Sequence, residues 1–141
     1  MKLFEKITII GVGLLGASLA KACRRHNLVE EISGFGRNRE NLDKAKSLGV
    51  IDHCAKDLPE AVKDVDLVVL CTPVSKIVPL IDSLLPHLKQ GVVITDVGSV
   101  KGPLVHQLDD LMPEGIFFVG SHPIAGGEKS GLEASREDLY L

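Results

Sequence analysis

Short apolar runs recur along this chain at 7–10, 32–35, 67–71, 92–95 and 116–119, with a weaker one near 50–52. Longer stretches of helical pattern separate them. Strands that alternate with helices form βαβ units, and such units build a parallel sheet. Most of the runs are continuous and β-branched, as expected of strands covered on both faces. Helices are predicted over 14–25, 39–48, 75–88 and 105–111. In the third, Ile77, Val78, Ile81, Leu84, Leu85 and Leu88 share one face at helical spacing. Gly49 follows the second helix as a C-terminal cap residue. Pro79 is tolerable in a first helical turn, Pro86 should kink or end the helix, and Pro113 stops the last one. Six strands joined by crossovers predict an α/β, doubly wound parallel sheet of order 3-2-1-4-5-6, in a single domain spanning 1–141.

The first strand leads into Gly11-Val12-Gly13-Leu14-Leu15-Gly16, a G-x-G-x-x-G run. With 14 glycines in the chain the pattern alone is weak. Its place between a strand and an amphipathic helix is what a Rossmann dinucleotide site requires. Gly11 permits the tight turn, Gly13 lets the backbone approach pyrophosphate, and Gly16 lets the helix pack close to the strand. Leu14 and Leu15 open the helix, whose N-terminus would face the phosphates. The residue that reads the adenosine ribose is expected about 20 positions on. There the chain has Gly36, Arg37 and Asn38 instead of Asp or Glu. A small Gly beside an Arg leaves room for a 2′-phosphate and supplies a bidentate donor. The cofactor is therefore read as NAD(P), with NADP favoured over strict NAD. The alternative leaves Arg37 a solvated surface residue.

Further candidates fall at strand ends on the same edge. The fourth strand delivers Cys71-Thr72-Pro73-Val74 to the switch point of the sheet, where cofactor contacts are expected. Cys71 reads as a small apolar wall rather than a nucleophile, since no base lies beside it in sequence. The fifth strand runs into Thr95-Asp96-Val97-Gly98-Ser99-Val100-Lys101-Gly102. The sixth delivers Gly120-Ser121-His122-Pro123-Ile124-Ala125-Gly126-Gly127-Glu128-Lys129-Ser130-Gly131. A histidine on such a loop can accept a proton near neutral pH, so His122 is read either as a proton acceptor or as a residue that hydrogen-bonds its own loop.

Composition narrows the partners. A net charge of −3 without clustered Lys or Arg argues against nucleic acid. The adjacent Arg24 and Arg25 lie where cations offset a helix dipole. Three cysteines without C-x-x-C spacing indicate neither a disulfide framework nor zinc, and no metal site is expected. No apolar run approaches the ~18–20 residues of a membrane span, and the N-terminus lacks a signal-peptide core. The expected location is the cytoplasm.

Four runs in order, 11–20, 70–74, 95–102 and 122–131, make this chain similar to the prephenate/arogenate dehydrogenase family of tyrosine biosynthesis. The resemblance implies a dehydrogenase that oxidises prephenate at its C4 carbinol with hydride transfer to NAD(P), releasing CO2 and 4-hydroxyphenylpyruvate. It implies His122 as general base, Ser99 as the group that orients the hydroxyl and the nicotinamide, and Glu128 at the pocket entrance. Ser99 as a helix N-cap and Glu128 as a solvated loop charge remain alternatives. Arogenate, as in arogenate or cyclohexadienyl dehydrogenases, is the alternative substrate. A stand-alone nucleotide-binding module is the alternative without activity. Members of the family carry a helical C-terminal domain that supplies the homodimer interface and the basic residues for the substrate's carboxylates. This sequence contains none, so the chain is read as a piece whose activity belongs to the intact enzyme.

Overall fold

The computed structural model describes residues 3–11, 14–72, 74–96 and 111–120. Along the chain these form β1 (Phe4–Ile10), α1 (Leu14–Arg25), β2 (Val29–Phe35), α2 (Arg39–Ser47), β3 (His53–Cys54), α3 (Leu58–Ala61), β4 (Leu67–Leu70), α4 (Val74–Leu84), β5 (Val93–Asp96) and β6 (Phe117–Gly120). The strands join in one sheet of order β3-β2-β1-β4-β5-β6, and every neighbouring pair is parallel. The doubly wound order expected from the alternation of runs is the one found. The expected helix over 105–111 lies largely outside the described residues. No helix among the described residues is long and apolar enough to cross a membrane.

The continuous apolar strands follow from the two-residue side-chain period. Ile7 and Ile9 of β1 face one layer, with Ala17 and Ala20 of α1, Ile32 of β2 and Leu42 of α2. Ile10 faces the other, with Val68 and Leu70 of β4, Ile94 of β5, and Ile77, Ile81 and Leu84 of α4. Burying each of the Val, Leu and Ile side chains contributes roughly 1.5–3 kcal/mol. Thr8 is also wholly buried, and its hydroxyl donates to the Ala61 carbonyl.

The third strand differs from its expected place near 50–52. Val50 and Ile51 are buried in the turn after α2, and the ladder begins only at His53. Helix α2 ends on Leu48, and Gly49 takes a φ of +78°. Gly49 N–H donates to Lys46 and Val50 N–H to Ala45, a Schellman end that swings Val50 back onto the helix. Asp52 then takes the place of a strand residue. Its backbone N–H donates to the Ile32 carbonyl at 2.7 Å and its carboxylate accepts the Ile32 N–H at 2.8 Å. Arg24, at the end of α1, holds that carboxylate at 2.8 Å.

Two details of the helices also depart from expectation. Helix α3 begins at an Asp57 cap that accepts from the Glu60 N–H at 2.9 Å, and it is too short to show periodicity. Pro79 falls within α4 beyond its first turn, so the Ser75 carbonyl lacks its usual helical donor. Pro86 ends the helix as expected, in a 3-10 turn over Leu85–His87.

At the edge where the strands begin, Asp66 joins three segments. Its carboxylate accepts the N–H groups of Glu5 and Lys6 at 3.0 and 3.2 Å and the Lys89 ammonium at 2.7 Å. The hydrogen bond from Lys89 holds the Asp66 carboxyl below its ordinary value; partial desolvation opposes this, and the two backbone donors add to it.

Candidate nucleotide-binding cleft

The opposite edge, where the strands end, carries a cleft at the reversal of strand order between β1 and β4. The Gly11 N–H donates to the Phe35 carbonyl at 2.7 Å, and the Cys71 N–H donates to the Ile10 carbonyl at 2.8 Å. These bonds pin the start of the glycine turn between the ends of β2 and β4. Gly11 has a φ of +94°, and a β-carbon there would stand 2.6 Å from the Cys71 carbonyl oxygen. A β-carbon on Gly16 would meet the Gly11 carbonyl oxygen at 2.5 Å and Ile9 Cγ2 at 2.9 Å. Both positions therefore exclude any side chain, and α1 lies hard against the strand it follows.

The main cleft has a volume of about 580 Å³, within the range of sites for small molecules and cofactors. Ile10, Gly11, Cys71 and Thr72 form its floor, and Phe35, Gly36 and Arg37 form the β2 wall. The outer stripe of α4, with Lys76, Pro79, Leu80 and Ser83, forms the facing wall. A smaller recess of about 260 Å³ shares Gly11, Gly36, Arg37 and Cys71 and adds Asn38, Asn41 and Leu42.

Of the residues singled out from sequence, Gly11, Gly36, Arg37, Asn38, Cys71 and Thr72 converge on these two recesses. Gly16, Leu14 and Leu15 lie in the first turn of α1, and Val74 opens α4. Gly13, Pro73, Ser99, His122 and Glu128 fall outside the described residues. Asn38 has a structural duty as well: it caps α2, accepting the Asn41 N–H at 3.0 Å. A β-carbon on Gly36 would meet nothing within 4 Å, so the space beside Arg37 is open.

The cleft's polar groups suit a phosphorylated ligand. Thr72 lines the cleft, and its hydroxyl is buried with no hydrogen-bond partner among the described residues. Burial, aided by the neighbouring Asp96 carboxylate, pushes the Cys71 thiol up to about 12. Such a thiol stays protonated and serves as a wall, not a nucleophile. Asp96 itself, wholly buried at the end of β5, was read from sequence as part of the run 95–102 but given no role of its own. Lys76 and Ser83 were not singled out, because the apolar face of α4 dominates its periodicity.

Comparison with known proteins decides the family. Residues 19–141 match the model of "Prephenate dehydrogenase, nucleotide-binding domain". The chain belongs to this family. Over 140 residues it is 36% identical to the cyclohexadienyl dehydrogenase of Zymomonas mobilis, covering 99% of this chain and 47% of that protein. It is 35% identical to the prephenate dehydrogenase of Bacillus subtilis, covering 96% of this chain and 37% of that one. The crystal structure of prephenate dehydrogenase from A. aeolicus, in complex with hydroxyphenyl propionate and NAD+, superposes with a TM-score of 0.87 at 38% identity. That match covers 96% of this chain and 47% of the other. The chain thus spans about half, or less, of the length of these relatives.

Proposed function

We propose that this chain is the cofactor-binding half of a prephenate dehydrogenase, with NAD(P) laid along the cleft from Gly11 to Arg37. The observation that carries the reading is the glycine turn itself. Gly11 and Gly16 are closed to any β-carbon, and the turn opens a helix beside a cleft of about 580 Å³. The N–H groups at the start of α1 and the positive end of its dipole receive the pyrophosphate. Thr72 offers its hydroxyl, and Phe35, Pro79 and Leu80 give apolar surface for the adenine.

NAD(P) held by these residues would supply the acceptor for the hydride that leaves C4 of prephenate. His122 takes the proton of the C4 hydroxyl, Ser99 orients that hydroxyl, and Glu128 shapes the entrance. The ring carboxylate departs as CO2, and aromatisation leaves 4-hydroxyphenylpyruvate. Arg37 beside the open space at Gly36 favours NADP over NAD, through a bidentate contact to a 2′-phosphate. The basic groups for the substrate's carboxylates and the homodimer contact are assigned to a helical domain outside these 141 residues. Such an enzyme works in the cytoplasm.

Arogenate is the second reading of the substrate. Among the solved structures, the arogenate dehydrogenase of Synechocystis superposes with a TM-score of 0.84 at 34% identity, covering 95% of this chain and 46% of that one. Two assays on one preparation test the proposal: calorimetric titration with NAD and NADP, and reduction of either cofactor with prephenate or arogenate. Binding of NAD(P) supports the cofactor site, and the substrate that drives reduction names the enzyme. Absence of any nucleotide binding overturns the reading.

A further inference from the structure

The cleft is charged from both sides. Arg37 stands on the β2 wall and Lys76 on the α4 wall, and both are exposed. Among the described residues neither has a carboxylate partner, whereas Arg24, Arg39 and Lys89 are paired with Asp52, Asp43 and Asp66. Lys76 also sits in the first turn of α4, a turn that contains no acidic residue. A cation is disfavoured there, because the N-terminal end of a helix already carries partial positive charge. Two exposed cations on facing walls, without a carboxylate partner among the described residues, and a helix N-terminus beside one of them favour an anion in the cleft.

The rest of the cleft narrows the choice of anion. Phe35, Pro79 and Leu80 are apolar, and Gly36 leaves open space on the Arg37 side. Residues 76, 79, 80 and 83 lie on one stripe of α4, away from the core face of Ile77, Ile81 and Leu84. The outer stripe thus pairs an apolar patch with a cation one turn toward the helix start. The patch offers apolar surface of the kind that an aromatic base packs on, and the two cations line the same cleft from different elements.

We propose that Lys76 is a specificity-determining residue that grips the 2′-phosphate of the adenosine ribose from the side opposite Arg37. The proposal rests on the cofactor reading above and extends it to a residue on a different element. Lys76 adds charge without fixed geometry, while Arg37 adds the planar, bidentate contact. Together they make the site a two-armed reader of NADP.

The test uses two half-ligands, 2′,5′-ADP and 5′-AMP, titrated by calorimetry into the chain and into Lys76→Gln and Lys76→Arg. The unaltered chain should bind 2′,5′-ADP at least about tenfold more tightly than 5′-AMP. Lys76→Gln should lower 2′,5′-ADP affinity by about three- to tenfold and leave 5′-AMP unchanged, and Lys76→Arg should restore most of the loss. Equal loss for both ligands, or no loss for either, overturns the role of Lys76. If the unaltered chain takes the two ligands equally, the 2′-phosphate proposal falls and the nucleotide site stands. If it takes neither, both fall.

Discussion

A β-carbon on Gly16 would stand 2.5 Å from the carbonyl oxygen of Gly11, so the last glycine of the loop is pressed against the first. The contact fixes the distance between α1 and β1 and hence the position of the helix N-terminus. Gly16→Ala should therefore cost about 1–3 kcal/mol of stability through overpacking and weaken nucleotide binding as well. Urea unfolding and calorimetry on the same variant check both effects. An unchanged midpoint would show that the helix moves away freely and that the contact is incidental.

Arg37→Ala should weaken NADP by roughly 10- to 100-fold and NAD by much less, since a charge-assisted bidentate contact is typically worth ~1.5–3 kcal/mol. Parallel titrations with the two cofactors decide it. Equal losses would reduce Arg37 to a general contributor to the field of the cleft.

In a protein that turns over prephenate, His122→Asn should lower turnover by ~10²–10⁴-fold with cofactor affinity retained. Steady-state rates and a cofactor titration separate the two quantities. Near-normal turnover would exclude His122 as the base.

Cys71 should resist alkylation. A thiol pushed up to about 12 holds only about one part in 10⁴ as thiolate at pH 8, and thiolate is the reactive form. Peptide mapping by mass spectrometry after iodoacetamide treatment of the native chain reads this directly. Labelling of Cys71 as fast as in the unfolded chain would show that the thiol is not sheltered.

Asp66 gives the fold an acid-side dependence. Its folded-state carboxyl is held below the unfolded value by the Lys89 hydrogen bond, with the Lys6 and Glu5 N–H groups assisting. The unfolded chain therefore takes up this proton first as pH falls. The stabilisation is complete above the unfolded value of about 4 and fades as pH drops through the folded one. Asp66→Asn should be less stable than the parent at neutral pH, with the gap closing below about pH 4. Thermal midpoints measured across that window test the sign, and a gap independent of pH would rule the linkage out.

How much of this was legible beforehand depended on side-chain chemistry element by element. Five of the strands announced themselves because both faces of a parallel sheet need apolar side chains, as Ile7 with Ile10 and Val69 with Leu70 illustrate. The third did not. His53 and Cys54 carry no strand signal, while Val50 and Ile51 are apolar because a turn buries them. Gly11 and Gly16 were readable since a β-carbon at either would stand within 2.6 Å of a backbone oxygen. Lys76 was hidden because a helix facing both a core and a cleft shows the periodicity of its larger apolar face. Its signal was local: a lysine in a first turn with no acid beside it, followed at helical spacing by Pro79, Leu80 and Ser83.

The side chain of Asp52 has a consequence for how the molecule meets its own copies. By accepting the Ile32 N–H it removes a donor that an incoming strand would otherwise use, and it leaves β3 only two residues long. An intermolecular sheet grows by adding strands to an unpaired edge, and a two-residue edge held in place by an arginine-bound carboxylate gives it little to build on. On that side the protein is guarded against aggregation by the same turn that displaced its third strand.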